Sequence, residues 1–179
     1  MKKQTIILVA AALLLASALL SGCGKETEKA DGLIREANDI IAGFQPKLVE
    51  VEALLSDARD QAEARSADAA ARLEEAQTLT AGIEEGISDA KGKIDEAAGL
   101  NIEEQKRSYL EAKSRSLDIM LELNATMSEL AALLLADPAA QSPDTLKRWA
   151  ELVETMNQQS QELAAAEAEA GKIVGGNGE

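Results

Sequence analysis

From Ala30 the apolar residues return in alternating steps of four and three: Ala30, Ile34, Ala37, Ile41, Phe44, Leu48, Val51, Leu55, Ala58, Ala62. The pattern resumes at Ala69 and runs through Leu73, Ala76, Thr80, Ile83, Ile87, Ala90 and Ile94 to Ala97. An average step of 3.5 is the period of a coiled-coil seam, whereas a strand face repeats every two residues. Between Ala58 and Ala69 two steps of four in a row make one stutter, which unwinds a supercoil locally without ending the helix. Pro46 is the one strong interruption. Its ring removes a helix bond and clashes one turn back, which predicts a kink or break near Gly43–Pro46. Because the apolar phase passes straight through, the preferred reading is one kinked, continuous helix from 29 to 98. At 1.5 Å per residue it would be about 105 Å long.

Gly99-Leu100-Asn101 reads as a stop followed by a start. Gly99 suits a left-handed cap, and Asn101 with Glu104 forms a capping box for a helix from about 102 to 136. That helix carries Leu110, Leu117, Met120, Asn124, Met127, Ala131 and Leu134 on one seam. Leu121, Leu123, Leu130 and Leu133 widen its apolar face, so it should meet more than one neighbour. Asp137-Pro138 ends it. Ser142 then caps another helix, with Pro143 in its first turn and Asp144 near its positive end. Leu146, Trp149, Val153, Met156, Ser160 and Leu163 give this last helix its apolar face.

The expected fold is therefore all-α: a long antiparallel bundle or coiled coil of three, or four, helices. The helices at 102–136 and 143–171 are expected to pack on the 66–98 part of the first. That leaves the apolar stripe of residues 30–62 without a partner. Either the first helix folds back near Pro46, or the stripe pairs with another protein or a second copy.

The stretch ahead of the seam has a different character. Lys2 and Lys3 precede an uncharged apolar run from Ile6 to Leu20, and the small residues Ser21 and Gly22 follow. A basic start, a short apolar core and a small-residue cleavage site are the parts of a secretory signal. Leu20-Ser21-Gly22-Cys23 resembles the lipobox of bacterial lipoproteins at all four positions. The resemblance implies that Cys23 is lipidated and becomes the first mature residue, with acyl chains of the palmitate type. Two or three such chains make a stable anchor where one is marginal. The implied organisation is a cleaved signal peptide at 1–22, a lipidated polar tether at 23–29, a helical domain at 30–172 and a loose tail at 173–179. The implied location is the exported side of the cell membrane. Gly24 lacks the aspartate that the family links to inner-membrane retention, so in a Gram-negative cell the rule points to the outer membrane. An uncleaved N-terminal membrane helix is the alternative, and it too places the body outside the membrane.

Charge and composition narrow the chemistry. Without Lys2 and Lys3 the body holds 16 basic against 32 acidic side chains, a net charge of −16. It should be repelled by nucleic acid and by anionic lipid surfaces, and the charge keeps a long helical body soluble. The chain has no histidine, and Cys23 is its one cysteine. With that thiol lipidated, Ser–His and Cys–His nucleophile pairs and the usual zinc and haem ligands are gone. No metal or cofactor is expected.

Few residues stand out as sites. Asn124, among leucines and methionines, can fix register or oligomer state; a partly solvated bundle edge explains it equally. Gly82 and Gly86, one turn apart, permit a close helix approach, although local flexibility is the simpler reading. Adjacent acids at Glu74–Glu75, Glu84–Glu85, Asp95–Glu96 and Glu103–Glu104 point about 100° apart on a helix, which is unsuited to paired-carboxylate catalysis.

The function expected is a non-enzymatic, lipid-anchored envelope protein serving as helical spacer, scaffold or accessory binding subunit. The alternative is a solute-binding lipoprotein that serves a transporter, which would need a concave pocket with converging polar groups. A wall-linked lipoprotein, like the trimeric coiled-coil lipoprotein of enteric bacteria, fits less well. That family attaches through a C-terminal lysine, and this chain ends Asn177-Gly178-Glu179.

Overall fold

The seam residues find their partners inside the chain. The computed structural model describes residues 24–63, 68–137 and 142–175, and these form an all-α bundle of four helices. They are α1 (Lys25–Glu63), α2 (Asp68–Ala98), α3 (Glu104–Ala136) and α4 (Pro143–Gly175). Each runs antiparallel to the one before it. Three pairings fix the α1–α2 register: Lys29 with Glu96, Glu36 with Lys93 and Asp57 with Arg72.

The continuous helix from 29 to 98 is therefore corrected to a hairpin, and the reversal lies between Glu63 and Asp68 rather than at Pro46. Pro46 sits inside α1 on its exposed side, as does Ala42, whose carbonyl loses its helix donor there. Water can satisfy that carbonyl, so the proline does not end the helix. The reversal falls where the seam offers only Ala62, Ser66 and Ala69, so ending the helix there forfeits little apolar area. In return, Ile34, Ile41, Phe44, Val51 and Leu55 are all buried. At about 2 kcal/mol each, their burial outweighs the roughly 1 kcal/mol lost per helix bond given up. The stripe of 30–62, expected to need an outside partner, is thus covered by α2 of the same chain through Ala58.

The glycine pair divides. A Cβ on Gly86 would lie 3.0 Å from Phe44 Cδ1, so the missing side chain is what lets the ring of α1 reach the backbone of α2. Close approach, not flexibility, accounts for it. Around Gly82 there is open space within 4 Å. Gly82→Ala is therefore expected to stabilise the fold by about 1 kcal/mol through helix propensity. Gly86→Ala should fall short of that gain, because Phe44 must shift. Parallel thermal melts of the two variants check the contrast, and equal melting temperatures would remove the packing role of Gly86.

Between α2 and α3 the turn is built differently from the capping box expected of Asn101 and Glu104. The N-cap of α3 is Glu103, with no side-chain cap bond. Instead the Asn101 backbone N–H donates to Glu26 Oε2 of α1 at 2.7 Å. The Arg107 guanidinium turns back and donates to the carbonyls of Ala98 and Leu100 at 3.4 and 3.3 Å, closing the end of α2. Gly99 has no left-handed backbone and donates in helical fashion to the Asp95 carbonyl. The start of α4 is as expected: the Thr145 N–H donates to Ser142 Oγ at 3.0 Å.

The helices form a row more than a closed ring. α2 packs on α1 and α3, and α3 packs on α2 and α4 and touches α1. Among the described residues α4 approaches α3 and no other helix, so the expectation that it packs on 66–98 is corrected. The broad apolar face of α3 explains its central place. By length and composition alone α3 could cross a membrane, but in this fold that face is covered by its neighbours. The boundaries also shift: α1 begins at Lys25, inside the stretch expected as tether, and α4 runs on to Gly175.

Candidate functional site

The polar groups buried in the bundle concentrate on α3. Lys106, Lys113, Ser116, Asn124 and Thr126 are all buried there. A lysine ammonium that loses its water is costly unless a carboxylate replaces it. Each of these two lysines has one. Lys113 pairs with Glu167 of α4, with side chains 4% and 14% exposed. Lys106 pairs with Asp31 of α1, whose carboxylate is partly exposed. The Lys113 Nζ also lies 5.8 Å from the centre of the Tyr109 ring, within cation–π range. Gln105 Nε2 donates to the Ile173 carbonyl of α4 at 2.7 Å. Lys106, Tyr109, Lys113 and Gln105 thus tie α1, α3 and α4 together at one end of the bundle.

This arrangement clamps helices. Each buried ammonium meets one carboxylate, so charge is compensated pair by pair. Glu167 Oε1 is buried without a hydrogen-bond partner among the described residues, which makes Glu167 the most demanding member of the set.

Asn124 is 2% exposed and lies between α2 and α3, where its Nδ2 donates to the Thr80 carbonyl at 2.9 Å. Its Oδ1 has no partner among the described residues. The structure places it at a contact within the chain, away from the bundle edge. The paired acids all lie on outer helix faces. Among the described residues no three metal-ligating side chains gather. Leu20, Ser21, Gly22 and Cys23 lie outside the described residues.

A second polar cluster joins α2 to α3 at the surface. Asp95 accepts from Lys91 Nζ at 2.7 Å and from Ser114 Oγ at 2.5 Å, and Lys91 also faces Asp118 at 3.6 Å. Partial burial pushes the Asp95 carboxyl up. The hydrogen bonds from Lys91 and Ser114 and the Lys91 charge outweigh this, leaving it below its ordinary 3.8. The Asp95 bond, opposed by some burial, holds Lys91 above its ordinary 10.5. A carboxylate with a lowered value stabilises the fold above its ordinary value and loses that contribution as the pH falls through the lower one. A lysine with a raised value stabilises below its ordinary value and loses its contribution at higher pH. The clamp is therefore intact from about pH 4 to about pH 10. Asp95→Asn is expected to flatten the acid limb of a stability-versus-pH curve measured by chemical denaturation. An unchanged limb would show that Asp95 does not couple to folding.

No protein-family model, curated protein or solved structure matches this chain.

Lys106, Lys113 and Glu167 went unmarked in the sequence reading, yet a signal for them exists. The α3 seam steps from Leu110 to Leu117, and Lys113 falls between them in phase, as does Lys106 one step earlier. In α4 the phase Trp149, Val153, Met156, Ser160, Leu163 continues to Glu167 and Ala170. A cation and an anion at seam positions of adjacent antiparallel helices are the mark of a buried pair.

Proposed function

We propose that this protein is a lipid-anchored component of the bacterial cell envelope that acts without catalysis, as a helical spacer, scaffold or accessory binding subunit. The observation that carries the reading is the sequence Leu20-Ser21-Gly22-Cys23 after an apolar, positively led N-terminus. The bundle supports it: the buried polar side chains Lys106, Lys113, Asn124 and Thr126 are engaged in holding helices to one another. Its work then lies at its outer surface, through contact with a partner protein or a second copy.

Two experiments test this. Cys23→Ser is expected to abolish incorporation of labelled palmitate and to release the protein from the membrane fraction. Retention of label in the variant would overturn the lipoprotein reading. Crosslinking of the whole chain in cells, followed by mass spectrometry, should recover a specific envelope protein or a second copy. Deleting 30–62 is unsuitable as an interface test, because it removes the partner of α2.

A further inference from the structure

We infer that the bundle stands end-on to the lipid surface, with the Lys106–Lys113 end toward the membrane and the far end raised from it. The inference rests on the lipid-anchored reading and adds an orientation to it. Cys23 precedes the first residue of α1 by two positions, and two extended residues span at most about 7 Å. A lipid on Cys23 therefore holds the start of α1 within about 7 Å of the headgroups, with no tether between them.

The start of α1 is fixed to the rest of this end. Glu26 accepts from the Asn101 backbone, Lys29 pairs with Glu96, and Lys106 reaches Asp31. Gln105 holds the close of α4 to the same place. The start of α1, the α2–α3 turn and the close of α4 thus form one tied face next to the anchor. α1 has 39 residues, so the opposite end lies about 58 Å away along the helix axis.

Charge decides between standing and lying. Lying flat would bring a whole flank within the Debye length of about 8 Å. The flanks expose acids along their length, among them Glu36, Asp39 and Glu50 on α1 and Glu154 and Glu162 on α4. Against an anionic surface each would be repelled. Standing confines that repulsion to the anchored end, where Lys25, Lys29, Arg107 and Lys172 offset Glu26, Glu28, Glu103 and Glu104. The surface held farthest from the membrane is then the far end, formed by the close of α1 and α3 and the starts of α2 and α4.

The test uses the full lipidated protein in vesicles that contain phosphatidylglycerol and a headgroup spin-labelled lipid. Three exposed positions receive a fluorophore through Asn101→Cys, Gly82→Cys or Asp144→Cys, the acylated Cys23 being unreactive. The expected result is loss of most emission at 101, little loss at 82 and none at 144. Equal quenching at all three would mean that the body lies flat, and strongest quenching at 144 would reverse it; either result overturns the orientation while leaving the anchor intact. Failure of the protein to float with the vesicles would overturn the anchor and the orientation together.

Discussion

Glu167→Leu is expected to destabilise the bundle by about 3–5 kcal/mol, one of the largest effects available to a single substitution here. The change leaves the Lys113 ammonium, 4% exposed, beside an apolar side chain and the Tyr109 ring. A cation–π contact of about 1–2 kcal/mol cannot replace a lost carboxylate. Lys113→Met should cost a similar amount, since it strands a Glu167 carboxylate that already has one oxygen unpartnered. The double variant is expected to return to the stability of the parent or exceed it, because two apolar side chains of similar volume no longer require desolvated charge. Urea denaturation followed by far-ultraviolet circular dichroism measures all three. If both single variants lose less than about 1 kcal/mol, the pair behaves as a surface ion pair and its role as a clamp is wrong.

Phe44→Ala is the second large loss, at about 3–5 kcal/mol. Phe44 is 3% exposed, and its ring lies against Gly86, where α2 has no side chain to move into the space. Collapse around the cavity is therefore poor, which places the cost toward the upper part of the range. The same denaturation assay reads it. A cost comparable to that of Val49→Ala, at a half-exposed position on the same helix, would show that the ring does not hold α1 to α2.

These two sites also show how far the sequence could be read. The seam of Phe44, Ile83 and Ile87 was legible because a 3.5-residue period has a single structural meaning. All-α class, the stop at Gly99–Asn101 and the Ser142 cap were legible for equally local reasons. The reversal between Glu63 and Asp68 was not. A stutter inside a long helix and a turn between two helices leave the same phase in the sequence. The choice between them rests on whether Ile34, Ile41 and Phe44 can reach Ile83 and Ile87, which is a tertiary matter. The passage of the helix through Pro46 was legible in the unbroken apolar phase, and it holds because the carbonyl freed at Ala42 is on the exposed side. Asn101 misled because its backbone N–H is taken by Glu26, 75 residues away in sequence. Lys113 and Glu167 were hidden by the habit of reading charge as surface, although both lie in phase with their seams.

Because the main packing joins each helix to its neighbour in sequence, with α3 adding a small contact to α1, few contacts of the fold have to wait for a distant segment. Chains of such low contact order fold in microseconds to milliseconds, well ahead of their delivery at about 5–20 residues per second during synthesis. A chain emerging N-terminus first can close α1 on α2 while α3 is still to arrive. α3 then docks on a finished hairpin, and α4 seals the face of α3 last. The exposed apolar surface at any moment is that of one helix, so the order of helices along the chain itself limits the aggregation to which a newly made chain is open.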